Sequence, residues 1–392
     1  MSKRFVAIAA LCALCFVRSP VVAAEPYDVN VIVSLTGIAA FIGKQEADAL
    51  HALEPVVNRT GGIHGRPVHF VMVDDGSTPA TSVQLANQII ALQAPVILGP
   101  SLTADCAAVM AVAKAGPVVY CFAPSVDPPA GSFGFSGGVG TASLTLASIR
   151  YLAGHGWKRI ALISSTDATG QHGEELIKAN LRLPESHDIA LVADEHFATA
   201  DVSVAAQVAR IKAANPQAII AWTTGTPTGT VLRNLHDAGL DVPVLLNAGN
   251  IVRSQILQYS SFLPTDLVFT GFRFMAPERV AAGPIRLAQS EFASALKAQN
   301  ISPPEISMDL AWDAARVVVD ALRHVPEHPT ATDVKTYIEQ LHGFAGTNSL
   351  LDFRDGSQRG VSNDAVVIVK WNAAKRTLPG VSGPGGRPLP LP

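Results

Sequence analysis

Two short loops carry the residues best suited to chemistry. Gly99-Pro100-Ser101-Leu102-Thr103 follows an apolar run and opens a helix-forming segment, and Ala123-Pro124-Ser125-Val126-Asp127 closes the next apolar run. A helix starting at Thr103 would offer unpaired backbone N–H groups, the positive end of its dipole and a hydroxyl. That set can receive a carboxylate without any formal cation. The competing use is a plain cap, with Ser101 or Thr103 satisfying the helix's own first turn. Ser125 adds a second hydroxyl. Asp127 adds a carboxylate that either binds an ammonium group or forms an Asx turn ahead of Pro128-Pro129.

Other candidate motifs fall short. Gly37 to Gly43, followed by Lys44-Gln45, approaches a phosphate-binding loop but has five residues between the glycines and Gln in place of Ser or Thr. Asp74-Asp75 could pair as catalytic carboxylates, yet Asp at a strand-to-helix junction more commonly caps a helix or bonds a loop. The histidines are scattered without zinc-ligand spacing, and His155, His172 and His187 read as surface or turn residues. No nucleophile and base stand out as a pair, and no cofactor or metal is expected.

The elements that must position these loops alternate β-branched runs with alanine-rich amphipathic segments, as in α/β proteins. Strands are predicted near residues 29–35, 67–74, 95–98 and 117–122, with helices near 42–58, 80–92 and 103–115. Three of these runs end in small polar loops, and ligands bind beyond the carboxyl ends of parallel strands. A second β/α series spans residues 141–273. Further helices near 281–299, 309–323 and 332–342 precede closing strands near 350–353 and 365–371. These late helices are surplus to the second series, so the economical arrangement has the chain cross three times between two discontinuous domains. The expected boundaries are 25–144 with 274–345, and 145–273 with 346–372. Residues 373–392, rich in Pro and Gly, are expected to be a disordered tail.

Residues 1–24 read as a secretory leader, with Lys3 and Arg4 before an apolar stretch and Val22-Ala23-Ala24 as cleavage site. A retained anchor is the rival, but the stretch is short of the about 20 residues a span needs. Neither Cys12 nor Cys15 follows the small residue a lipid-anchor site requires. Cleavage leaves 26 of the 29 Lys and Arg against 32 Asp and Glu, a net charge of −6. No basic stripe remains, which excludes nucleic acid as a partner. Cys106 and Cys121 form either one disulfide or two buried thiols.

Taken in order, Ser34-Leu35-Thr36-Gly37, Asn58 with Gly61-Gly62-Ile63-His64-Gly65, Asp74-Asp75, Gly99-Pro100 with Thr103, Ala123-Pro124-Ser125 and Ala311-Trp312-Asp313-Ala314 resemble the type I periplasmic solute-binding proteins of the Leu/Ile/Val-binding kind, which serve ABC importers. The resemblance covers residues 27 to about 371. It implies two Rossmann-like lobes joined by three hinge strands that close over a ligand, an inner-membrane permease as partner, a periplasmic monomer and no enzymatic activity. It also implies a first-lobe site at Ser34 or Leu35, Thr103, Ala123, Ser125 and Asp127, and second-lobe contacts at Thr169, Thr226 and Asn250. Thr169 stands where such proteins usually carry a tyrosine, and Asn250 is neutral near a usual acidic residue. The ligand is therefore a small carboxylate-bearing solute, either a branched-chain amino acid or an aromatic or other organic acid, with amides a further alternative. A sensor of the same fold and an exported hydrolase are the competing functions.

Overall fold

The computed structural model describes residues 24–301 and 303–389; the expected leader lies outside them, Ala24 excepted. The chain opens with β1 (Tyr27–Val33), α1 (Ala40–Arg59), β2 (Val68–Asp74), α2 (Pro79–Ala91), β3 (Val96–Leu98), α3 (Thr103–Val112), β4 (Val118–Cys121) and β5 (Gly134–Ser136). These strands form one parallel sheet in the order β2-β1-β3-β4-β5. Side chains alternate between the two faces of a strand. Val31, Val33, Val96, Leu98 and Val118 pack into the main core with Leu50 and Leu53 of α1. Ile32, Ile97, Val119 and Cys121 point the other way, onto Ala86, Ile89, Cys106 and Val109 of α2 and α3. Both faces are covered by helices, which explains the continuous apolar runs. Cys106 and Cys121 are disulfide-bonded, tying α3 to β4 with their Cα atoms 5.9 Å apart.

The second series comprises α4 (Thr141–Gly154), β6 (Arg159–Ser165), α5 (Ala168–Asn180), β7 (Ala190–Phe197), α6 (Ala205–Ala213), β8 (Ala218–Trp222), α7 (Pro227–Asp237), β9 (Val244–Leu246), α8 (Arg253–Gln258) and β10 (Leu267–Phe272). Then follow α9 (Pro284–Ala298), α10 (Ile306–His324), α11 (Ala331–Gln340), β11 (His342–Ala345), β12 (Leu350–Asp352) and β13 (Val366–Lys370). The second sheet runs β13-β10-β9-β8-β6-β7, with only β13 antiparallel to its neighbour. α9 and α10 return to pack on α1, and α4 packs on α5, β10 and β13. The chain therefore passes between the sheets after β5, after β10 and before β13.

Three expectations need correction. The first passage precedes Thr141 rather than following residue 144, because all of α4 serves the second sheet. The third falls beyond Arg359 rather than near residue 345. The Arg359 guanidinium is buried in the first lobe, donating to the Ser136 hydroxyl at 3.2 Å and to Asp127 at 2.7 Å. The tail is ordered through residue 389. β13 is an edge strand whose outer N–H and C=O groups need partners. The tail supplies them: Lys370 N–H donates to Pro379 O at 3.1 Å, Val381 N–H to Ile368 O at 2.7 Å, and Ile368 N–H to the buried Ser382 hydroxyl at 2.8 Å. No apolar period was needed, because backbone pairing holds the segment.

Candidate functional site

In the first sheet the strand order reverses between β1 and β3, the switch point where the ends of parallel strands leave a crevice. The crevice faces the equivalent edge of the second sheet, and the two lobes meet across it. Thr169, in the first turn of α5, donates its hydroxyl to that of Thr103 at 2.9 Å, and Thr226 N–H reaches Ile38 O at 3.3 Å. Between the lobes lies a cavity with about 490 Å³ of atom-free space, part of it continuous with solvent.

The first-lobe wall is held by its own hydrogen bonds. Asp74 accepts from Leu35 N–H at 2.9 Å and the Thr36 hydroxyl at 2.7 Å; Asp75 accepts from the Ser34 hydroxyl at 2.8 Å and the Ser82 hydroxyl at 3.0 Å. This pair clamps loops rather than capping α2, which has no side-chain cap. Gly43 is needed for close packing, since a Cβ there would strike the Ser34 backbone. The phosphate-loop look-alike is thus a helix-packing device. At α3, the N-cap is Leu102 and no side chain caps the helix. Ser101 instead donates to the buried Glu46 carboxyl, while Thr103 lines the cavity at the helix start.

Three acids are buried behind this wall. Glu46 has no exposed surface; burial pushes its carboxyl up to about 8, the Ser101 bond opposing and Asp75 adding to the rise. Burial, reinforced by the neighbouring Asp75 carboxyl, raises Asp105 to about 7. No N–H or O–H donor of the described residues reaches either Asp105 oxygen.

The second-lobe wall is neutral. Asn247 lines the cavity and donates to Thr223 O at 2.8 Å. Asn250 sits behind it, accepting from the Thr228 hydroxyl at 2.7 Å and donating to Thr223 O at 2.7 Å. Trp222, at the end of β8, forms the flat part of the wall. Gly173 of α5 makes room for it, because a Cβ there would collide with the indole.

Of the nine residues singled out from sequence, Thr103, Ala123, Ser125 and Thr169 line the cavity. The other five do not. Ser34 is fully buried beneath the loop, binding Asp75 and, through its N–H, Ser101 at 3.1 Å. Leu35 is half-buried beside Asp74. Thr226 is exposed, its N–H turned to Ile38 O of the first lobe, and Asn250 holds the scaffold. Asp127 lies at the cleft rim, where the hydrogen bond of the His172 ring, 3.1 Å away in the second lobe, and then the Arg359 guanidinium hold its carboxyl below the usual range against burial. Sequence reasoning missed Glu46, Ser101 as a Glu46 partner, Trp222 and Ser307.

Two further clusters bear on chemistry. Gly134-Phe135-Ser136-Gly137-Gly138 has the Gly-x-Ser-x-Gly spacing of a hydrolase nucleophile, which the sequence reading also missed. Ser136 is fully buried, and its hydroxyl donates to Ala123 O at 2.9 Å while Arg359 donates to it. It has neither a histidine partner nor access, so it is not a nucleophile. On the outer edge of the second lobe, Glu174, Asp194 and His196 come together as a possible cation cage. The Lys178 ammonium lies 2.5 Å from both acids and already supplies the positive charge.

A sequence profile of the family described as periplasmic binding protein matches residues 26–376. A Leu/Ile/Val-binding protein homologue from Brucella melitensis is 23% identical over 354 residues, covering 88% of this chain and 92% of the relative. The fold superposes with a TM-score of 0.77 on the substrate-binding protein LivJ of a branched-chain amino acid transporter from Streptococcus pneumoniae, solved in complex with isoleucine, at 18% identity over 91% of this chain and 99% of that one. It also superposes, with a TM-score of 0.71, on a solute-binding protein of an ABC transporter from Rhodopseudomonas palustris in complex with benzoate, at 15% identity over 93% and 98% of the two chains.

Proposed function

Because this chain belongs to the periplasmic binding protein family, of the Leu/Ile/Val-binding type, we propose that it captures a small carboxylate-bearing solute in the periplasm by hinge closure and delivers it to an ABC importer. The observation that carries this reading is the cavity between the lobes, with hydroxyls from both meeting across it at Thr103 and Thr169. A ligand that touches both walls stabilises the closed arrangement over the open one, and closure is the signal a transporter can read. The carboxylate seat is the start of α3: free N–H groups, the Thr103 hydroxyl, whose oxygen already accepts from Thr169, and Ser125 opposite. Binding needs no covalent step.

Aromatic acids are the second reading, supported by Trp222 on the cavity wall and by Thr169 in place of the larger tyrosine. A thermal-shift panel of branched-chain amino acids, benzoate-type acids and their amides, followed by calorimetry on the hits, tests the proposal. Acids should raise the melting temperature and the amides should not. Thr103→Val should weaken the bound acid about tenfold, about 1.4 kcal/mol, with the fold intact. Unchanged affinity would move the seat elsewhere, and a panel without hits would remove the reading.

A further inference from the structure

Glu46 lines the cavity from α1, and its two carboxyl oxygens stand in different situations. Oε2 accepts the Ser101 hydroxyl. The Ser101 oxygen itself accepts Ser34 N–H at 3.1 Å, so its single hydrogen is committed to Glu46. Oε1 is buried and has no partner among the described residues. An ionised oxygen left there, without donor or cation, is costly.

The ionisable groups around it supply no compensation. Asp75, after β2, is an acid that adds to the rise, and Glu305 and Asp309, at the start of the α10 helix packed on α1, are buried acids. The nearby cation, Arg253 of α8, is engaged by Glu305, which accepts its backbone N–H at 2.9 Å and lies 3.6 Å from its guanidinium. No Lys, Arg or His is among the residues lining the cavity. Burial and Asp75 both favour the neutral acid, and Glu46 keeps its proton to about pH 8. With Oε2 committed as an acceptor, that proton belongs on Oε1. A neutral Oε1–H beside an apolar-lined cavity still lacks an acceptor.

We propose that the acceptor is the ligand: Glu46 donates its Oε1 hydroxyl to the ligand's carboxylate, so the site reads an organic acid through a neutral acid rather than a cation. This rests on the binding reading above and sharpens it. A ligand amino group is not required, and acids without one should bind. Ionisation of Glu46 at alkaline pH would set one carboxylate against another.

The test is calorimetry of benzoate, 4-methyl-2-oxopentanoate and L-leucine on the wild-type protein, Glu46→Gln and Glu46→Ala, from about pH 6 to about pH 9.5. The wild-type affinity should be flat near neutrality and fall about tenfold per unit above about pH 8, the slope of one lost proton. Glu46→Gln, whose amide can still accept from Ser101 and donate to the ligand, should stay within about threefold at neutral pH and lose the alkaline fall. Glu46→Ala should weaken binding more than about tenfold. Affinity for leucine alone that rises with pH and collapses in Glu46→Gln would overturn the inference, making Glu46 an ammonium partner. An acid that binds with the same pH profile in wild type and Glu46→Gln would also overturn it, leaving the binding function standing. Failure of all three acids to bind at any pH would remove both readings.

Discussion

The two walls of the cleft are made of different chemistry. The first lobe buries Glu46, Asp75 and Asp105, with Ser101 and Ser34 linking Glu46 to Asp75. The second lobe turns no ionisable side chain toward the cavity; its polar atoms are the amides and hydroxyls around Asn247 and Asn250, framed by Trp222. A carboxyl exchanges donor for acceptor as pH changes, whereas an amide offers both at any pH. The difference teaches that pH sensitivity should reside in one lobe and fixed geometry in the other, although both lobes are built of the same alternating β/α units.

The most disruptive way to probe this contrast is on the neutral side. Asn250→Ala strands Gly225 N–H and the Thr228 hydroxyl together, while Thr223 O keeps its Asn247 donor. At about 1–3 kcal/mol for each buried group left unpaired, urea unfolding should register a loss of about 2 kcal/mol or more. The loss should be the same at pH 6 and pH 8.5. A loss that varies with pH would mean the second wall is not electrostatically silent.

The acidic side should show the opposite behaviour. Glu46, pushed up to about 8, and Asp105 and Glu305, pushed up to about 7, are all raised by burial above their ordinary values. The fold therefore holds more protons on these groups than the unfolded chain does. Their contribution is fully present below the ordinary carboxylate range and is lost as pH rises through about 7 to 8. The melting temperature should fall from pH 6 to pH 9, less steeply in Glu46→Gln and in Asp105→Asn. An unchanged slope in both variants would place the titrating groups elsewhere.

The smallest effect belongs to the rim, where the lobes touch through His172 and Asp127. The pair is partly exposed, and such contacts contribute about 0–1 kcal/mol. His172→Ala should weaken ligand binding no more than about fivefold, and less at high salt. A larger loss would show that closure is governed at the rim rather than in the cavity.

Much of the first lobe's site could be read from sequence. Hydroxyl and glycine loops at strand ends mark a parallel-sheet crevice, and Thr103, Ala123 and Ser125 fall within it. Glu46 was missed because an acid in a helical segment is ordinarily solvated. The signal was nonetheless present: Gly43, Glu46, Leu50, Leu53 and Val57 form one stripe at spacings of three and four, and Glu46 is the charged member of an otherwise small or apolar face. Trp222 could not be assigned, since an aromatic at the end of a buried strand reads equally as core. The tail was misread for a different reason. Composition reports whether a segment can build a core, and this one only needs to complete the edge of β13.

That edge pairing fixes where the two ends of the chain travel. Tyr27 begins β1 of the first sheet, while Gly380 and Val381 are bonded to β13 of the second. A fluorophore placed just before Tyr27 and another just after Arg387 would ride on opposite lobes without touching the cleft. Their energy transfer would then read the hinge angle directly, making the protein its own optical gauge for whatever solute it holds.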